Sequence, residues 1–100
     1  MDLTRIRKNI DDLDSMIITL LAKRADFVSA AGRLKKSEQG VCDPKRVNQV
    51  LRNVRERAAG KGLDPALAEE VYRTIIHCFM NKELKEFETR SGTNRGEPCR

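Results

Sequence analysis

One hundred residues with a mass of 11.4 kDa leave room for one domain and little more. Lys and Arg number 20 against 15 Asp and Glu, a formal net charge of +5; the apolar fraction is 39%, the charged fraction 35% and the aromatic fraction 4%. No apolar run approaches the roughly 20 residues of a membrane span, and the lack of aromatic residues and regular turn signals argues against a β-sandwich, which leaves a small, charged, all-α domain.

The opening Met1-Asp2-Leu3-Thr4 lacks the basic start and apolar stretch of a secretory signal. From about residue 2 to residue 36 the chain reads as one helix. Leu3, Ile6, Ile10, Leu13, Ile17 and Leu20 recur at alternating spacings of three and four, an apolar stripe with heptad character. Ser37-Glu38-Gln39-Gly40 reads as a loop, and Asp43-Pro44 restarts the chain, with Asp43 suited to an N-cap and Pro44 to the first helical position. The second helix carries Val47, Val50, Leu51 and Val54 and ends near Ala59-Gly60-Lys61-Gly62. Asp64-Pro65 repeats the start signal for a third helix carrying Leu67, Val71, Ile75, Cys78, Phe79, Leu84 and Phe87. The expected domain is residues 1–90; residues 91–100 are polar and aperiodic and are expected to be a disordered tail. Cys42, Cys78 and Cys99 form no C-x-x-C pair and read as apolar fillers or surface thiols, with neither a disulfide framework nor a metal site. That pattern suits a reducing cytoplasm.

The first helix is too long for a compact monomer. About 35 residues span roughly 50 Å, whereas a compact domain of this size has a radius of gyration near 13 Å. Burial of the stripe by a second copy predicts an intertwined homodimer. A partner of another sequence, or a break near Lys23-Arg24, is the alternative.

Cations interrupt the stripe. Arg24 stands where an apolar residue is due, and Lys35 follows eleven positions later, about three turns on and facing nearly the same way. Charge on a buried stripe needs a partner. Either an anion sits between the two, or both reach water at the stripe's edge or pair with acids of a neighbouring helix. Arg7 lies 17 positions before Arg24, roughly 25 Å away, and reaches the same small ligand only from an antiparallel partner. Arg46, one turn before Val50, adds a fourth cation. A rigid guanidinium fork holds carboxylates bidentately and keeps its charge when partly buried.

These residues resemble a family. Ile6-Arg7-Lys8-Asn9-Ile10-Asp11-Asp12-Leu13-Asp14, Leu20-Leu21-Ala22-Lys23-Arg24 and Gly32-Arg33-Leu34-Lys35 resemble the opening helix of the all-helical chorismate mutases. Asp43-Pro44-Lys45-Arg46 is similar to the start of that family's second helix, and Gly62-Leu63-Asp64-Pro65 with Ile75-Ile76 to its third. The resemblance covers about residues 3–88. It implies an intertwined dimer with two equivalent sites, each binding a cyclohexadiene dicarboxylate and catalysing a pericyclic rearrangement without cofactor, metal or covalent intermediate. By the same resemblance Arg24 and the partner's Arg7 bind the carboxylates, Lys35 donates to the ether oxygen of the breaking bond, and Arg46 lies near the ring and a carboxylate.

Two departures bear on the branch. Where the mutases carry a Glu that binds the ring hydroxyl, this chain has Val47, which accepts no hydrogen bond. The isochorismate pyruvate-lyases, which release pyruvate and leave salicylate, are similar in having an apolar residue there. Lys36-Ser37-Glu38, Ile75-Ile76-His77 and Phe87-Glu88-Thr89-Arg90 also resemble that branch, while Asp43 is common among the mutases. The second departure is Glu83, where both branches usually have a Gln that donates to the ether oxygen. Only a protonated Glu donates there; the alternative is a surface charge near Lys82 and Lys85. His77, the only histidine, reads as structural, since a pericyclic reaction needs no general base.

Two non-enzymatic classes compete. Nucleic-acid binding is disfavoured because acids such as Asp11-Asp12 and Glu69-Glu70 interleave the bases. A structural or regulatory helical dimer would have no reason to aim Arg7, Arg24, Lys35 and Arg46 at one pocket.

Overall fold

The computed structural model describes residues 2–34 and 42–91, with side chains described through residue 89. Three helices follow one another: α1 over Leu3–Leu34, α2 over Pro44–Gly60 and α3 over Pro65–Ser91. Each starts on an aspartate. Asp2 accepts from Arg5 N at 2.8 Å, Asp43 from Lys45 N at 3.0 Å and Asp64 from Ala66 N at 3.0 Å, so a side-chain oxygen satisfies an otherwise unpaired amide at every helix start. Pro44 and Pro65 occupy first positions that lack an intrahelical donor partner anyway.

α2 ends in a Schellman motif. Leu63 N donates to Ala58 O at 2.9 Å and Gly62 N to Ala59 O at 3.3 Å, with Gly62 at φ +74°, a left-handed conformation that glycine adopts without strain. The turn reverses the chain, so α2 and α3 run antiparallel, with Arg55 beside Glu69 at 3.2 Å. The buried apolar residues are Leu51 and Ala58 on α2 and Ala68, Ile76 and Leu84 on α3. α1 meets α3 through its last third, where Ser29 Oγ donates to Glu86 at 3.3 Å and Gly32 is buried.

The sequence boundaries hold to within a few residues. The long helix, expected over about 2–36, is described over Leu3–Leu34; residues 35 and 36 lie outside the described set. α3 includes Ser91, and the rest of the expected tail also lies outside it. One reading is corrected: Cys42, taken as a filler or thiol, is disulfide-bonded. An odd cysteine count with no paired motif gives no warning of such a bond. Cys78 is a free, exposed thiol.

The apolar stripe of α1 stays uncovered. From Leu3 to Leu20 its members are 40% exposed at Ile6 and 61% exposed at Leu20. The molecule extends 55 Å along its main axis and has a radius of gyration of 16.5 Å, above the roughly 13 Å of a compact 100-residue domain. No described helix is long and apolar enough to cross a membrane.

Candidate active site

Three helix faces enclose a cleft of about 360 Å³, a volume suited to a small organic ligand. α1 contributes Arg24, Phe27, Val28 and Ala31. The start of α2 contributes Asp43, Arg46, Val47 and Val50, and α3 contributes Ile76, Phe79, Met80 and Glu83. Each set repeats at i, i+3, i+4 and i+7, one face of a regular helix.

Five residues singled out from the sequence therefore meet: Arg24, Asp43, Arg46, Val47 and Glu83. Arg24 is half-buried, and its guanidinium carbon lies 5.0 Å from the Phe79 ring centre and 6.0 Å from that of Tyr72. Aromatic faces attract a cation without using its N–H groups. Among the described residues no acceptor hydrogen-bonds Arg24, so the acid-partner alternative does not describe it, while its partial exposure leaves it within reach of solvent as well as the cleft. Its donors remain available to an anion in the cleft.

Arg46 Nη1 donates to Gln49 Oε1 at 2.8 Å along the outer side of α2. The Asp43 carboxylate is engaged by the Lys45 amide as a helix cap, even as the residue lines the cleft. Val47 is half-buried and gives the wall a surface that accepts no hydrogen bond. Glu83 is 3% exposed. The surface-charge alternative for Glu83 is thereby excluded: its side chain packs at Gly32 of α1 and lines the cleft.

The other two expected site residues stand differently. Lys35 lies outside the described residues. Arg7 sits on the exposed early part of α1 and does not line this cleft. His77 is exposed on α3, 3.1 Å from Asn81, and does not line it either. Among the described residues no three His, Cys, Asp or Glu side chains gather as a metal site requires.

Ile76, Phe79 and Met80 were missed as site residues, although they precede Glu83 by seven, four and three positions. Helical period counted back from Glu83 finds all three. The role of Tyr72 in flanking Arg24 had no such signal, since it depends on how α1 crosses α3.

The family model described as chorismate mutase type II matches residues 6–84. The chain is 36% identical over 83 residues to the isochorismate pyruvate lyase of Pseudomonas aeruginosa, covering 83% of this chain and 82% of that one. It is 33% identical to the T-protein of Enterobacter agglomerans over 88% of this chain but only 24% of that larger protein. To the 4-amino-4-deoxychorismate mutase of Streptomyces pristinaespiralis it is 32% identical over 74% of this chain and 58% of that one. With its three helices, its cleft and a family match over most of its length, the chain belongs to the chorismate mutase type II family.

Proposed function

We propose that the protein is an isochorismate pyruvate-lyase, converting isochorismate to salicylate and pyruvate, and that it works as a homodimer. The observation that carries this is the cleft: Arg24, with its donors uncommitted, faces the buried carboxyl of Glu83 across a wall in which Val47 stands. A dianionic substrate would take its carboxylates onto Arg24 and the partner's Arg7, with Arg46 at the rim. Holding the side chain over the ring restrains the flexible substrate near its reactive conformer. As the C–O bond breaks, negative charge grows on the ether oxygen. A donor held at that oxygen would lower the barrier by stabilising the charge as it develops. Lys35 and the Glu83 carboxyl are the groups proposed to act at that oxygen, Lys35 on the family resemblance alone. The reaction as proposed needs no cofactor.

The lyase reading is supported by Val47 and by the similarity to a relative named isochorismate pyruvate lyase over most of both chains. The second reading is a chorismate mutase, forming prephenate from chorismate, and Asp43 in the cleft wall favours it. A cytoplasmic location belongs to the proposal, and the Cys42 disulfide weighs against it, because cytosolic thiols are kept reduced.

The test is to incubate the purified protein separately with isochorismate and with chorismate and identify the products. Salicylate with pyruvate supports the lyase; prephenate alone supports the mutase. Consumption of neither leaves a structural or regulatory helical dimer as the reading.

A further inference from the structure

Gly32 is the one buried residue of α1. A Cβ placed on it would fall 2.9 Å from both Cγ and Oε1 of Glu83 and 3.3 Å from its Cδ. The clash involves the middle of the Glu83 side chain as well as its tip, so turning the carboxyl alone does not relieve it. The backbone at Gly32 has no positive φ, so no left-handed conformation calls for glycine. An alanine there would favour the helix by its higher propensity. What glycine supplies at this position is space.

One turn earlier on α1 and three residues later on α3, Ser29 and Glu86 are joined at 3.3 Å. The two helices are thus joined one turn from Gly32, and a bulkier residue at 32 must displace Glu83 or part the helices there.

We infer that Gly32 is a positioning residue: its missing side chain lets Glu83 lie against α1 with its carboxyl at the cleft wall. This rests on the proposed reaction, in which that carboxyl acts on the breaking bond. The test is Gly32→Ala in three backgrounds, the unaltered protein, Glu83→Gln and Glu83→Ala, with kcat, KM and Tm measured for each. In the unaltered protein, kcat falls by about tenfold or more while KM changes less than about twofold, as expected when a group acting in the transition state is misplaced. Tm falls there and in the Glu83→Gln background, where the side chain is the same size. In Glu83→Ala the space is open, so Tm holds or rises and kcat drops no further. An unchanged kcat in Gly32→Ala, or an equal fall in Tm in all three backgrounds, overturns the inference while leaving the reaction standing. A protein inert to both substrates overturns the reaction and the positioning role together.

Discussion

At the scale of single residues the unusual group is Glu83, a carboxyl 3% exposed on the wall of the cleft that is proposed to receive a dianion. Ionised, it only accepts hydrogen bonds and repels substrate; protonated, it donates. Glu83→Gln carries a permanent donor of the same shape and is therefore expected to keep kcat within about threefold, whereas Glu83→Ala, which leaves no polar group there, should lower it about tenfold or more. A kcat unchanged in Glu83→Ala removes Glu83 from the mechanism. Arg24 yields a second prediction. Its planar guanidinium is held by aromatic faces 5.0 and 6.0 Å away, and its fork suits a carboxylate, whereas a lysine supplies only a point charge. Arg24→Lys is expected to lower kcat/KM about tenfold or more, the range of one charge-assisted hydrogen bond. Wild-type kcat/KM in Arg24→Lys would mean that charge alone suffices and that the aromatic setting is incidental.

At the scale of elements, each helix start and each helix pairing has an identifiable tether. Glu69 of α3 joins Arg73 at 3.3 Å and Arg55 of α2 at 3.2 Å. The hydrogen bond from Arg73 lowers the Glu69 carboxyl most, partial desolvation opposes it and Arg55 adds to the lowering. A carboxyl held below its unfolded value stabilises the fold above that value, and the contribution is lost as pH falls through the lowered one. The Tm difference between the protein and Glu69→Gln should thus be small and positive at neutral pH and should close below about pH 4. A gap that persists in acid would show that the ion pairs do not tie α2 to α3. These tethers also mark how far sequence could be read. Asp43-Pro44 and Asp64-Pro65 announce two helix starts because capping chemistry is local. The face carrying Arg24 follows from the period of its own helix. The burial of Glu83 does not, because it depends on a missing side chain at Gly32 in another helix, 51 positions away. The aromatic setting of Arg24 is hidden for the same reason: it is a contact between α1 and α3, and nothing in the neighbouring residues records it.

At the scale of the whole molecule, one chain on its own leaves a long apolar stripe open. The stripe from Leu3 to Leu20 is uncovered, and Arg7 lies on that same stretch, away from the cleft of its own chain. Uncovered apolar area of this extent favours association, and the proposed dimer would carry each Arg7 toward the other chain's cleft. The mass in solution should therefore be twice 11.4 kDa. Ile17→Asp, which puts a charge on the stripe, should sediment as a monomer without activity. Complementation separates a shared site from a merely dimeric one. Arg7→Ala and Arg24→Ala should each be nearly inactive alone. After mixing and subunit exchange, about half of the dimers are hybrids by random pairing. In every hybrid one site has lost both arginines and the other retains both, Arg24 from one chain and Arg7 from its partner. Activity should then recover to about a quarter of the unmutated value, because half the dimers carry one intact site of two. If exchange is verified by a mass tag and the mixture stays as inactive as its components, Arg7 does not serve the partner's cleft, and the second carboxylate must find its cation within a single chain.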